Sequence, residues 1–481
     1  MSVRANNLEN ITKRYIQLHP VNATSGGKFS FKNGLPLIKF DISSSDVPLL
    51  LDGGALRLTG NLTVRTGVDG AIAATDLYFV DGFAGINNMI EMITISSKRL
   101  NSVLERITNY YRLVPSIVSG QHGEKDIETR MGIAANQHGT IPLTKSTLAS
   151  YNSWTTNSAA EVTAANRLGA GFSTPVYAGI FQSGQDIDLS SISGTGGLVI
   201  EILLRSDVGC VFGTHAAANN ATYNISNLVL TAPVYEMGGQ SAAAYQGAVN
   251  QFNFNSWSSM FQTINSSAAV VAMTPGLQRV ASCLVNFITA SDLGNQLYNA
   301  CRLGGIGEIQ QIRWSKNGAL FPLQYRLQTV SENNDKAAPV AGVANTSFHV
   351  YSVNADILRN YLEGLTTDRY NKVKDCMSAY NSWSGGCVDR PQNAGRDGIT
   401  PGTSDGIAIL YDAYGSGTDF AQVVWSFELG SSGTNQLRIN ATPTDEPNCV
   451  DGTAATAQAA TIFFLNKNTL MMSPNGINVE R

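Results

Sequence analysis

The chain has 481 residues, 43 % of them hydrophobic and only 14 % charged, with a formal net charge of −4. That length exceeds what one hydrophobic core usually serves and asks for two domains of roughly 200–250 residues. The charge balance argues against a dedicated nucleic-acid binder, which carries a basic patch or tail; Arg4, Lys13 and Arg14 are too sparse for a packaging arm. The charged share also lies far below the ~25 % of ordinary soluble proteins, with Gly, Ser, Thr, Asn and Ala in its place. Such a surface suits broad contact with other protein, and equally suits a loop-rich β-protein with polar turns.

Met1 to Tyr15 lacks the continuous apolar core of a signal peptide, and no run approaches the ~20 apolar residues of a membrane helix. A soluble protein made in a cytosol-like compartment is expected. The six cysteines (Cys210, Cys283, Cys301, Cys376, Cys387 and Cys449) are scattered, with no Cys-x-x-Cys pair. A zinc ribbon and a redox motif are therefore absent, and reduced thiols are the expectation, although Cys376 and Cys387 are near enough to bridge a loop.

In chain order, residues 1–27 read as an arm with one short helix around Leu8–Tyr15. Strands begin with Phe29–Phe31, an Asn33-Gly34 turn and Leu37–Ile42, then Leu49–Leu51. Ala55–Val64 alternates, with Leu56, Leu58, Gly60, Leu62 and Val64 inward and Arg57, Thr59, Asn61 and Thr63 outward, the mark of a half-exposed antiparallel strand. Leu77–Gly82 is a short strand. Met89–Ile95 is apolar on both faces apart from Glu91 and reads as a strand packed on both sides. Leu100, Val103, Leu104, Ile107, Tyr110 and Tyr111 recur at three- and four-residue steps, which predicts a short amphipathic helix. Residues 114–175 form a long Gly/Ser/Thr/Asn/Ala-rich excursion of the kind that carries recognition.

Strands return at Val176–Gln182, Gly197–Leu204 and Tyr223–Tyr235, with Asp186–Leu189 as a connector. Residues 237–250 are the candidate linker. Beyond it come Phe252–Phe261, Ala268–Met273, Arg279–Ile288 and Glu308–Trp314 with an Asn317-Gly318 turn. A helix at 353–364 and a second long loop to Pro401 follow. The end is β again: Gly406–Tyr411, Gln422–Leu429, Leu437–Ala441, Thr461–Leu465 and Asn468–Met472, the last closed by a Ser473–Gly476 turn. Leu77–Tyr111 has a faint counterpart from Glu308 to Leu362, which suggests duplication. Many short strands, little helix and seven or eight runs per half predict an all-β protein of two tandem antiparallel sandwiches, jelly rolls in particular.

Catalytic motifs fail on context. Gly402-Thr403-Ser404-Asp405-Gly406 has the spacing of a nucleophile elbow, but a Pro401 loop precedes it, a strand follows, and no histidine lies beyond His349. His19, His122, His138, His215 and His349 show no paired-ligand spacing, and His122 and His138 read as solvated loop residues. The Gly194–Gly197 and Gly304–Gly307 stretches lack the Lys-Ser/Thr of a P-loop and open no helix. Paired glycosidase carboxylates from different strands leave no sequence signature. Glu91 and Glu201 sit in apolar strands, where a carboxylate needs a partner, and Arg57, Arg99 and Arg205 are the candidates. No catalytic, cofactor-binding or metal residue is assigned.

Asp81-Gly82-Phe83-Ala84-Gly85-Ile86-Asn87-Asn88-Met89-Ile90-Glu91-Met92-Ile93-Thr94-Ile95, and the closing Thr461–Val479 with Leu470-Met471-Met472-Ser473-Pro474-Asn475-Gly476-Ile477, resemble regions of double jelly-roll major capsid proteins. The similarity is closest to those of polinton-like viruses, adintoviruses and related small eukaryotic DNA viruses. It implies an N-terminal arm over 1–27, jelly rolls over 28–240 and 241–481, and a homotrimer forming a pseudo-hexagonal capsomer of an icosahedral virion shell. It further implies minor capsid or penton proteins as partners, no cofactor and no catalysis, with 114–175 and 364–402 as outward or neighbour-contacting loops. Two other classes stay open on the residues alone. One is a fibre, adhesin or lectin-like binding protein using 114–175; the other is a β-sandwich carbohydrate-active enzyme.

Overall fold

The computed structural model describes residues 11–23, 27–32, 34–43, 49–66, 78–81, 84–98, 100–119, 140–142, 170–189, 197–213, 221–237, 250–264, 268–272, 280–289, 296, 306–316, 319–321, 329–331, 348–350, 422–426, 435–443, 458–473 and 476–480. In chain order the first strands are β1 (Ile11–Leu18), β2 (Leu37–Ser43), β3 (Leu49–Asp52), β4 (Arg57–Thr66), β5 (Tyr78–Asp81), β6 (Ile90–Ser97) and β7 (Ser102–Thr108). Helix α1 (Tyr110–Ser119) comes next, then β8 (Thr140–Pro142), β9 (Ala170–Pro175) and helix α2 (Gly179–Gln182). This half closes with β10 (Asp186–Asp188), β11 (Gly197–Leu204), β12 (Phe212–Gly213) and β13 (Ala221–Met237). The second half begins with β14 (Asn250–Ile264), β15 (Ala268–Ala272), β16 (Val280–Thr289), β17 (Ile306–Lys316), β18 (Ala319–Phe321), β19 (Thr329–Ser331) and β20 (Phe348–Val350). It ends with β21 (Gln422–Ser426), β22 (Asn435–Pro443), β23 (Gln458–Ser473) and β24 (Gly476–Glu480).

All named strand pairs are antiparallel, and one eight-strand plan occurs twice. In the first half, one sheet runs β1-β13-β4-β9, with β3 also beside β13 and β10 beside β3, and the other runs β2-β11-β6-β7. In the second half the orders are β14-β23-β16-β21 and β15-β22-β17-β18. Read pairwise, β1, β2, β4, β6, β7, β9, β11 and β13 correspond, in unbroken chain order, to β14, β15, β16, β17, β18, β21, β22 and β23. The faint echo between Met89–Ile95 and Glu308–Trp314 is thus a matter of place: β6 and β17 hold the same station, each followed by its hairpin partner.

Alternation explains why the best-defined strands form. In β11, Leu198, Ile200, Ile202 and Leu204 are buried while Val199, Glu201 and Leu203 are half-buried. In β4, Leu58, Leu62 and Val64 go inward as the sequence predicts. These faces close on Phe40, Ile93, Ile95, Leu230 and Val234 in one core, where each large side chain contributes roughly 1.5–3 kcal/mol. Pro233 in the long β13 falls between the last partner from β4, at Thr231, and the first from β3, at Val234. Its missing N–H therefore leaves no ladder bond unmade on that side.

Three expectations are corrected. Ile11–Tyr15 is not helical: Ile11–Leu18 is a strand whose eight residues pair with Leu230–Met237. Arg14 reaches Glu236 across that pair and Lys13 lies over the Tyr235 ring, so strand pairing outweighs a weak local propensity. Leu100–Tyr111 is not a helix either but the strand β7 and the start of α1. A β-bulge between Ile95 and Ser96 lets the adjacent Leu104 and Glu105 both turn inward, which imitates helical spacing. The left-handed Asn109, at φ 49–52° like Asn101, breaks the strand, and its carbonyl accepts from Arg112 N at 3.0 Å to start α1. Third, Val176–Gln182 is not a strand; Val176–Ala178 is buried and closes a tight turn, with Ala178 N donating to Val176 O at 3.0 Å, then Gly179 opens α2. Beyond these, Phe29–Phe31 is no strand but makes isolated bridges at Phe29, Asp186–Asp188 is the strand β10 rather than a connector, β8 and β9 are strands within the 114–175 excursion, and β24 is an unforeseen strand pairing with β23. The predicted helix at 353–364 and strand at 406–411 lie outside the described residues.

Candidate functional site: the polar seam between the two sets of sheets

β7 is the edge of its sheet, and β14 pairs only with β23 in its own. The two edges meet, and side chains rather than a backbone ladder join them. Ser259 on β14 bonds the Thr108 hydroxyl, donates to the Thr108 carbonyl at 3.0 Å and accepts from Asn109 Nδ2 at 3.0 Å. One turn further on, Arg112 of α1 is fully buried and its Nη1 donates to Thr461 Oγ1 of β23 at 3.2 Å. Around these polar links the core runs on without a break into Phe254, Trp257, Phe463, Leu465, Leu470 and Met472. Trp257 and Phe463 meet edge to face at 6.5 Å.

Glu105 anchors the same place from below. It is 3 % exposed, and its Oε1 and Oε2 accept from the N–H groups of Gly179 and Ile180, both at 3.0 Å. α2 has no side-chain cap of its own, so this carboxylate from β7 satisfies its first donors. Burial pushes the Glu105 carboxyl up to about 7, with the two N–H bonds pulling the other way. Beside it the Tyr110 hydroxyl accepts from Tyr177 N at 2.8 Å, and burial drives that phenol well above its ordinary value. Gly179 is required for contact: a Cβ there would overlap the Asn255 carbonyl, 2.6 Å from its carbon.

A second polar hub lies within the first half. The Arg205 guanidinium stacks on the Tyr111 ring at 3.5 Å, donates to Gly209 O at 2.6 Å and approaches Glu91 at 4.0 Å. Tyr223 donates its hydroxyl to Arg205 O at 2.6 Å, and Asn88 donates to Cys210 O at 2.6 Å. Gln296, from the second half, is fully buried against this hub. Its Oε1 accepts from Ala221 N at 3.0 Å and its Nε2 donates to Ala221 O at 2.9 Å and Asp207 O at 3.1 Å. One side-chain amide thereby does the work of a neighbouring strand.

Of the two carboxylates singled out in sequence, Glu91 has its expected arginine, Arg205, which lowers a carboxyl that burial raises more strongly. Glu201 instead pairs with Lys39 at 3.2 Å, its register partner on β2. Arg57 turns to Ser173, and Arg99 lies outside the described residues. Glu91 and Glu201 make separate pairs rather than one site. His122, His138, His215 and the Gly402–Gly406 motif also fall outside. Glu105, Arg112 and Gln296 were missed by sequence reasoning. Only the inward step at Leu104-Glu105 could have marked Glu105, and helical spacing hid it. Among the described residues no group of three His, Cys, Asp or Glu side chains is placed to hold a metal, and no helix is long and apolar enough to cross a membrane.

Cys210 is 1 % exposed and burial pushes its thiol up to about 12. Thiol reagents are expected to leave Cys210 unmodified in the native protein and to label it only after unfolding, which peptide mass spectrometry reads directly.

Two eight-stranded sandwiches in tandem, seamed edge to edge, define a double jelly roll. The solved structure of VP54 from PBCV-1, fitted into a cryo-EM reconstruction of the virophage Sputnik, matches with a TM-score of 0.51 at 10 % identity. The match covers 98 % of this chain and 97 % of that one. The quasi-atomic model of the PBCV-1 virus capsid (11 % identity, 98 % of this chain, 97 % of that chain) and the cryo-EM structure of the Sputnik virophage (10 %, 98 %, 88 %) both give 0.49. The chain thus has the double jelly-roll fold of viral capsid proteins. No protein-family model and no curated protein matches its sequence.

Proposed function

We propose that this chain is the major capsid protein of a virion, a structural subunit rather than a catalyst. The carrying observation is the eight-strand plan repeated in unbroken order, matched end to end by a PBCV-1 VP54 chain of nearly the same span. The two units are 28–240, to which β1 from the 1–27 segment adds a strand, and 241–481. Three copies form a pseudo-hexagonal capsomer, and capsomers tile an icosahedral shell together with minor capsid or penton proteins. Closed symmetric association covers the loops and edges that a sandwich exposes. Low charge density suits such broad contacts, and repetition over a shell turns weak contacts into avidity. The surface has no use for sequence-specific nucleic acid.

Purified protein is expected to run as a trimer by mass photometry, with pseudo-hexagonal particles in negative stain. An exclusively monomeric species at all concentrations would overturn the reading.

A further inference from the structure

The joint between the two sandwiches uses one outer edge of each and leaves the matching edges bare. β7 of the first half meets β14 of the second, and the repeated plan makes β1 the counterpart of β14 and β18 that of β7. Among the described residues β1 pairs only with β13, and β18 only with β17. β1 lies beside β2, and β2 and β7 are opposite edges of their sheet, so the bare edge of the first sandwich faces away from the joint. The second sandwich is built alike, with β14 beside β15 and β18 at the far edge. Thr12–Tyr15 and Gln17 of β1 are exposed. Tyr15 (66 %), Val21 (59 %) and Leu37 (38 %) put apolar surface along that side, where Val21 N donates to Lys39 O of β2 at 2.8 Å. One chain thus carries both partners of the joint unused, at opposite ends, and an example of the two joined between them.

We propose that a second copy of this chain covers the β1 edge with its β18 edge, repeating between copies the joint that β7 and β14 make within one. Two matches set the alignment. Tyr111-Arg112-Leu113, just past β7, recurs as Tyr325-Arg326-Leu327, just past β18, and aligned on it Ala319 stands where Glu105 does. Val234 and Leu470, both fully buried, hold equal places on β13 and β23: Val234 pairs with Arg14 and Leu51, Leu470 with Phe252 and Val479. Arg14 is thus the counterpart of Phe252, and Gln17 that of Asn255, which the seam packs beside Glu105 through Gly179. Ala319 of one copy therefore falls near Gln17 of the next. An edge that offers unpaired N–H and C=O groups is a template for another chain, and this cover closes it. The contact runs head to tail, and three copies close it into a ring in which joints within chains alternate with joints between them. The inference rests on the trimer proposed above and adds which surfaces meet.

A photoreactive benzoylphenylalanine in place of Tyr15, in the full-length protein, tests it. Ultraviolet light should give covalent dimers on a denaturing gel, and mass spectrometry should join the β1 peptide to one holding Ala319–Phe321. Mixing isotope-labelled with unlabelled protein shows that the joined peptides come from different copies. Trimers by mass photometry whose β1 cross-links land elsewhere, or nowhere, would overturn this contact and leave the trimer standing. A chain monomeric at all concentrations would overturn both. Tyr15→Glu alters a side chain already exposed in the single chain. It should raise the concentration at which trimers dissociate by about tenfold while the circular dichroism spectrum stays unchanged. Dissociation at the wild-type concentration would also overturn the contact.

Discussion

Gly179→Ala is expected to lose most of the soluble, cooperatively folded protein, or to lower its stability by about 3 kcal/mol or more. The added methyl group meets backbone, not a side chain that can turn aside: the Asn255 carbonyl lies in its place, and Glu105 Oε1 is 3.0 Å away. Relief requires α2 to retreat from β14. That retreat breaks the two N–H bonds to Glu105 and opens the apolar layer around Trp257 and Phe254. Gly54→Ala is the matched control, because its Cβ would meet Phe181 O at 3.6 Å, an ordinary contact. Denaturant titration of both variants beside wild type checks the contrast; equal midpoints for the two variants would show that the seam tolerates displacement.

Arg205→Ala is expected to cost about 3 kcal/mol. The change removes the guanidinium from the Tyr111 ring, leaves Gly209 O without its 2.6 Å donor and strips Glu91 of its cation. The figure sits at the low end for a broken buried pair because the Glu91 side chain is 36 % exposed and water screens it. Arg205→Lys should recover part of the loss, since an ammonium keeps the charge but neither stacks nor forks. The pH dependence has a definite sign. Burial already holds the Glu91 carboxyl above its ordinary value, and Arg205 is the influence that lowers it. Without the arginine the folded-state value rises further. The variant's deficit should therefore grow as pH rises above the ordinary carboxylate value and shrink in acid. A deficit independent of pH would assign the whole cost to lost packing.

Strand content was legible wherever one face of a strand meets the core and the other meets less crowded surroundings. Ala55–Val64 and Gly197–Leu204 carry that alternation in their letters, and both are strands in the sheets it implies. The reading failed where a long-range partner overrode a local period. Ile11–Leu18 is a strand because Leu230–Met237 offers it eight partners, and nothing within the segment announces them. Ser102–Thr108 was disguised by its own bulge, where the extra residue Leu104 opposite Ile95 and Ser96 turns two successive residues inward. The polar seam was the least legible part. Glu105 and Gly179 are 74 residues apart, Arg112 and Thr461 are 349 apart, and Ala221 and Gln296 are 75 apart. No window on the chain contains any of these pairs.

By itself the sequence determined an all-β chain of two similar halves, poor in charge and without a catalytic constellation in any recognisable spacing. Those properties follow from composition and from periods of two residues, which are local. Only the tertiary structure decided that β1 completes the first sheet, that β7 and β14 meet edge to edge, and that a carboxyl group is buried at their joint. Each of these depends on which distant backbone donor lies opposite a given side chain. That is settled when the sheets close, because a polar group buried without a partner is costly and most find theirs only there.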